Sequence, residues 1–267
     1  MSRKTILAFT GFIILVTLAC NATFSIGNPT QTALPPTPIP PTATAIPLSG
    51  QVTLVNMPFV ETDPGSTFPQ YTLTTSTPQL SGSNDPRVVA FNQRLSALVQ
   101  KEVDQWRQDF RQLPITPLSN GSSLQNTYTL MAQTGDLWSF KFDFSFYADT
   151  AAHPGSYSIT VNYDLASGRE LALSDLFLPN SNYLETISAY CITELGKQPF
   201  FDGPFTDGAN PVAENYQNWN ISPDGLIITF DTYQVGPGAA GPQIILVPYE
   251  QIKSLIAPQG PLSNFIR

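Results

Sequence analysis

Histidine occurs once in this chain of 267 residues and cysteine twice, at Cys20 and Cys191. That scarcity argues against a zinc centre, which draws on three or four nitrogen and sulfur ligands. It also leaves His153 as the sole histidine for base work. Charge is sparse too: Asp, Glu, Lys and Arg together make up 12% of the chain, and 12 basic residues face 20 acidic ones for a net charge of −8. An acidic chain argues against nucleic acid as a partner and is repelled by an anionic membrane surface. No Gly-x-Ser-x-Gly nucleophile elbow is present. The first apolar run, residues 5–19, is shorter than the roughly 20 residues of a stable membrane span.

That run nevertheless organises the chain. Arg3 and Lys4 precede it, and it closes on Leu18-Ala19-Cys20, a small residue directly before a cysteine. A positive start, an apolar core and a small residue at the cut are the parts of a secretory signal. The pattern resembles a bacterial lipoprotein signal over residues 1–19, with Cys20 lipidated as the first mature residue. An ordinary cleaved signal and an uncleaved anchor are the alternatives. All three place the rest of the chain outside the cytoplasm, and the first anchors it to the cell membrane by lipid. Without Arg3 and Lys4 the mature chain carries 10 basic and 20 acidic residues, a net of −10. If Cys20 carries lipid, Cys191 has no mate. Its helical spacing with Leu184, Ile187 and Leu195 turns it toward a core, while a Cys20–Cys191 disulfide requires an unmodified Cys20.

Residues 20–50 hold the lipidated cysteine and an uncharged Pro/Thr-rich segment with Pro29, Pro35, Pro36, Pro38, Pro40, Pro41 and Pro47. Such a composition buries no core and reads as an extended tether reaching on the order of 90 Å, at about 3 Å per residue. Strands are expected at 52–60 and 71–77. Asp85 caps a helix that Pro86 opens, and Val88, Phe91, Leu95, Leu98, Val103, Trp106 and Phe110 carry it for about seven turns. The period then changes to two. Trp138, Phe140, Phe142, Phe144 and Phe146 alternate with Ser139, Lys141, Asp143, Ser145 and Tyr147, a strand with one buried aromatic face, paired in a hairpin with 124–134. Further strands are expected at 157–163, 169–173, 226–233 and 243–247. A helix from a capping box of Asn182 and Glu185 runs to about Lys197, and a last helix covers 249–256. Strand runs with segregated helices mean α+β.

Several of these pieces resemble a known family. They are the helix with Phe91-Asn92, Ala152-His153-Pro154, Asn162-Tyr163-Asp164 with Ser167-Gly168, and Leu173-Ser174-Asp175-Leu176-Phe177. Ser222 to Phe230, Tyr233, the glycine-rich 236–241 and Val247-Pro248-Tyr249 complete the set. In order and spacing they are similar to the RsiV-like extracellular domain, the ectodomain of lysozyme-binding anti-sigma factors. The same domain precedes the catalytic module of the peptidoglycan deacetylase PdaC. The resemblance covers about residues 65–257 and implies a small N-terminal α+β lobe, 51–122, and a larger RsiV-like lobe, 123–267, with mainly antiparallel sheets. Ala151 and Ala152 stand where that family usually has two glycines. Only four residues precede the apolar run, too few to hold a sigma factor, and one histidine is too few for a deacetylase metal site. The outer domain alone is expected.

Two sets of residues stand out for chemistry. His153, before Pro154 and Gly155, belongs to a turn and is expected to be structural or to touch ligand. Phe200, Phe201, Phe205, Tyr216 and Trp219 lie in a Gly/Pro loop, 198–219, and either grip a ligand or fold down over the sheet. Tyr233 and Val235 start a second glycine-rich loop. Asp202, Asp207, Glu214 and Asp224 could flank a glycosidic bond or hold calcium, although Asp202-x4-Asp207 lacks calcium-loop spacing. The expected function is a non-enzymatic surface lipoprotein without cofactor or metal. Its ligand, by the resemblance, is a lysozyme-like protein or peptidoglycan, and the net charge suits a basic protein. The rival is a hydrolase or deacetylase of wall sugars, favoured if Asp202, Asp207 and His153 converge.

Overall fold

The computed structural model describes residues 47–48, 50–64, 69–115, 121–198 and 205–266. Cys20, most of the tether, Phe200, Phe201 and Asp202 lie outside the described residues. Thr44–Arg267 form one compact unit. Its centre is β4, Leu137–Tyr147, where the alternation puts Phe140, Phe142 and Phe144 fully inside. The element that covers them is α1, Pro86–Arg111. Asp85 caps it by accepting the Arg87 N–H at 2.9 Å. Phe91 reaches down from this helix to meet Tyr163 edge-on at 5.2 Å and Phe140 at 5.9 Å. Further along, the Trp106 indole N–H donates to the Tyr157 hydroxyl at 3.0 Å, which donates to Glu102 at 2.6 Å. The stripe read from helical spacing is therefore core.

The sheet under α1 has the order β1-β2-β3-β4-β5-β6: Thr53–Asp63, Tyr71–Ser81, Ser122–Thr134, β4, Gly155–Asp164 and Arg169–Glu170. All neighbours are antiparallel except β2 and β3, which α1 connects as a parallel pair over only Tyr71–Thr74 and Ser122–Gln125. Beyond that point two asparagines take over the ladder. Asn126 Oδ1 accepts the Ser76 N–H at 2.7 Å and its Nδ2 donates to the Ser76 carbonyl at 3.3 Å. Asn92, from α1, does the same for Leu80 at 2.8 and 2.9 Å. The position between them is Pro78, which has no N–H to satisfy. The boundary expected at 122/123 falls where β3 enters this sheet.

A second sheet, β7-β8-β9 (Trp219–Ile221, Gly225–Phe230, Gln243–Pro248), is antiparallel and packs its apolar face, with Ile228, Phe230, Ile245 and Val247, against a core that includes Ile187, Cys191 and Leu195 of α2, Tyr183–Leu195. A buried polar seam joins the two sheets. The Ser139 hydroxyl donates to Asn162 Oδ1 at 2.7 Å, Asn162 Nδ2 donates to the Trp219 carbonyl at 2.8 Å, and Asn220 Nδ2 donates to the Phe140 carbonyl at 2.9 Å. The α+β class with mainly antiparallel sheets is as the strand and helix pattern implied.

Local details differ. Asn182 makes no side-chain cap; its carbonyl instead accepts both the Thr186 N–H at 3.1 Å and the Thr186 hydroxyl at 3.0 Å. The strand expected to 233 stops at Phe230 because Asp231 begins a turn, its carbonyl accepting the Gln234 N–H at 3.0 Å. The return strand at 169–173 shortens to β6, since a 3-10 turn takes Leu173–Leu176. The last helix is α3, Tyr249–Ile252, followed by a 3-10 turn at Lys253–Leu255. No helix among the described residues is long and apolar enough to cross a membrane.

One contact orients the whole. Leu48 is buried in the core beneath α1, and its N–H is held by the Asp136 carboxylate at 2.8 Å. Asp136 lies in the β3–β4 turn, so residue 48 enters the fold at one end of β4. The other end, after Tyr147, is about 33 Å away at about 3.3 Å per residue.

Candidate functional site

At that far end the chain loops from β4 to β5 through Ala151-Ala152-His153-Pro154. Gly155 lets the Phe146 ring sit where it does: a Cβ would stand 2.3 Å from Cζ of Phe146. The Phe146 ring therefore lies flat against the start of β5. Facing it is the turn after β8. Tyr233 is held there at φ 72°, a region bulky side chains avoid, and its side chain is 65% exposed. Gly238 makes room beneath it, since a Cβ would come within 2.3 Å of the tyrosine Cζ. Between these walls is a cavity of about 640 Å³, with His153, Pro154, Thr232 and Pro242 in its lining. It continues, sharing Ser156 and Pro242, into a second cavity of about 300 Å³ floored by β3, β4 and β5. Together they make one cleft of the size that small ligands occupy.

The floor is the polar half of the β4 alternation. Gln125, Thr127, Ser145 and Ser156 are exposed on it, beside Asp143, Ser158 and Asp231. Asp143 pairs with Lys141 and accepts the Ser158 hydroxyl at 2.9 Å. The Asp231 carboxylate accepts the Ser158 N–H at 2.9 Å and the Asn218 amide at 3.2 Å, which ties the turn after β8 to the sheet. Burial pushes its carboxyl above the usual carboxylate range; the Ser158 N–H and Lys141 oppose that rise, and Asp143 adds to it. Burial and the Glu102 hydrogen bond likewise push the Tyr157 hydroxyl well up, so it stays protonated at neutral pH.

Of the residues expected to bind, His153 and Tyr233 line this cleft. His153 is exposed, with Nδ1 2.9 Å from the Pro154 carbonyl in its own turn. Phe205 is 52% exposed on a neighbouring loop, its N–H donating to the Val235 carbonyl at 3.2 Å. Tyr216, Trp219 and Val235 require correction, for all three belong to the core. In its described residues 205–219, the 198–219 loop folds down as two 3-10 turns, Thr206–Ala209 and Ala213–Tyr216. The Ala209 carbonyl accepts both the Tyr216 and the Ser188 hydroxyls at 2.6 Å, and burial raises the Tyr216 hydroxyl to about 12. Phe200, Phe201 and Asp202 lie outside the described residues. Asp207 sits in the first of those turns and lines no cavity with His153, so the described part of the expected carboxylate–histidine group does not converge. No group of three or more His, Cys, Asp or Glu among the described residues could hold a metal ion. Sequence reasoning missed Asp143, Asp231 and the hydroxyl floor. The available signal was the polar set interleaved with the aromatics of β4.

Residues 174–250 match a family described as "Protein of unknown function (DUF3298)". Among curated proteins the chain is 26% identical over 168 residues to the peptidoglycan-N-acetylmuramic acid deacetylase PdaC of Bacillus subtilis, covering 62% of this chain and 36% of that protein. It is 29% identical over 104 residues to an esterase of Mycobacterium tuberculosis, covering 39% of this chain and 46% of the esterase. The immunogenic protein MPT64 of the same species is 29% identical over 105 residues, covering 39% of this chain and 46% of MPT64. The chain thus spans less than half the length of each of these relatives. A DUF3298-family crystal structure from Bacteroides fragilis superposes with a TM-score of 0.62 at 15% identity, covering 81% of this chain and 97% of that one. Another from Pseudomonas aeruginosa gives 0.54 at 13% identity, covering 78% and 95%. In fold, the chain is similar to these DUF3298-family domains over about four fifths of its length.

Proposed function

We propose that this chain is a non-enzymatic ligand-binding lipoprotein, anchored through Cys20 and directed at the cell-wall environment. The observation that carries the reading is the opposition of the two ends of β4. Residue 48, where the tether meets the fold, is bound at the β3–β4 turn, and the cleft opens at the far end between His153 and Tyr233. A tether entering at one pole leaves the other free to meet a ligand beyond the membrane. The similarity to a peptidoglycan deacetylase and the resemblance to RsiV-like ectodomains support a wall ligand, either peptidoglycan or a lysozyme-like protein. A basic protein would be steered to the acidic mature chain, with an on-rate that falls as salt rises. Calorimetric titration with lysozyme and with soluble peptidoglycan fragments, each at low and high salt, tests the reading. It expects binding of at least one ligand, and absence of binding to both overturns it.

A second reading has one observation behind it: Asp143 and Asp231 share the cleft, the first paired with Lys141 and the second pushed up by burial. Carboxylates set apart in this way can divide acid and base roles in glycoside hydrolysis. Turnover of wall fragments that is lost in Asp143→Asn and in Asp231→Asn would favour it over binding alone.

A further inference from the structure

The chemistry of the cleft narrows its ligand. Every charged group on the floor already has a partner: Asp143 with Lys141, and Asp231 with the Ser158 N–H and the Asn218 amide. An ionic ligand would have to displace these pairs. What remains open is uncharged. Gln125, Thr127, Ser145 and Ser156 are exposed, and among the described residues their side chains make no hydrogen bonds. On the outer edge of β5, which β6 pairs only at Tyr163 and Asp164, the Ser158 N–H is already taken by the Asp231 carboxylate, so a peptide adding there as a strand would have to displace it. At the rim, Tyr233 is pinned on one side by the backbone of Gly238 and stays largely exposed. A ring fixed on one face and free on the other is a stacking platform. Its negative π-face attracts weakly positive C–H bonds, of the kind a pyranose presents on one side while its hydroxyls point outward at the edge.

Resting on the ligand-binding reading above, we infer that the cleft takes a neutral saccharide chain. One sugar stacks on Tyr233, and the next units hydrogen-bond to Thr127, Gln125, Ser145 and Ser156 along the sheet floor. The backbone strain at Tyr233 then serves to hold the platform over the cleft instead of letting the ring turn into solvent.

The test is titration of the full chain in detergent micelles with fully N-acetylated chitotetraose, a neutral tetramer, and with its de-acetylated, cationic counterpart. Chitotetraose is expected to bind at least tenfold more tightly than the cationic tetramer. Tyr233→Ala should weaken it at least tenfold, Tyr233→Phe should retain it, and Thr127→Val with Ser145→Ala should weaken it severalfold. Tyr233, Thr127 and Ser145 are exposed, so these variants leave the core intact, which thermal melts confirm. Equal binding by Tyr233→Ala, or preference for the cationic tetramer, overturns the inference. Binding of lysozyme with none of chitotetraose also overturns it while the reading of the preceding subsection stands. Failure of lysozyme, peptidoglycan fragments and chitotetraose alike removes both.

Discussion

Asn126 holds Ser76 by both of its backbone polar groups, accepting from the N–H at 2.7 Å and donating to the carbonyl at 3.3 Å. A side-chain amide here stands in for a strand. It is needed because β3 pairs with β2 for only four residues before leaving toward β4. Asn126→Ala orphans one donor and one acceptor on a partly buried strand, at about 1–3 kcal/mol for each group that water cannot reach. Urea denaturation should show a loss within that range, and a midpoint unchanged from the wild type would mean that solvent serves Ser76 equally well.

The same geometry explains Pro58. Ser76 directs its N–H and carbonyl away from β1, so its partner Pro58 directs its own backbone away from β2, onto the free edge of the sheet. This edge is eleven residues long and carries Met57, Phe59 and Val60, all exposed. Such a strand invites pairing with another chain, and a proline in its outward register removes a donor from the middle. Pro58→Thr should therefore raise self-association at high protein concentration, seen as earlier elution in size exclusion with little change in melting temperature. Unchanged elution would contradict the assigned register.

Asp231 gives a pH signature. Its carboxyl is pushed up by burial, so the ionised form costs stability relative to the unfolded chain. That penalty is full above the folded-state value and vanishes below the ordinary carboxylate range near 4. Asp231→Asn keeps an acceptor for the Ser158 N–H. The variant should melt higher than wild type at neutral pH, with the gap closing as pH falls through the carboxylate range. A gap that widens toward acid would reverse the sign of the argument.

Cys191 is free, fully buried, and raised to about 12 by burial and the nearby Glu194. In the folded chain it should not react with a thiol reagent at neutral pH. In denaturant it should react, and the stoichiometry then reports on Cys20: one thiol per chain if Cys20 carries lipid, two if it does not. The second outcome would remove the lipid anchor from the proposed function.

Alternation along β4 reveals which residues share a face, and it foretold the aromatic core under α1. It does not reveal what covers the opposite face. Ser139 on that face is buried by β7, whereas Asp143 and Ser145 line the open cleft; that division depends on a sheet some 80 residues further along the chain, through Asn220 and Ser139, 81 positions apart. The aromatics of the 198–219 segment were ambiguous for a related reason. Whether Tyr216 faces water or core is decided by the Ala209 carbonyl and the neighbouring Ser188, a contact with no local periodicity to betray it. Tyr233 was legible as a loop residue, but its exposure follows from a backbone angle and a glycine five positions on.

The bond between Leu48 and Asp136 also sets how the molecule carries tension. With the anchor and the cleft ligand proposed above, a pull between the two would enter at the β3–β4 turn and leave beyond Tyr147, along the axis of β4. The ladder bonds of β3, β4 and β5 run across that axis. They are strained together in shear instead of being unzipped one by one, the arrangement in which a sheet resists rupture best.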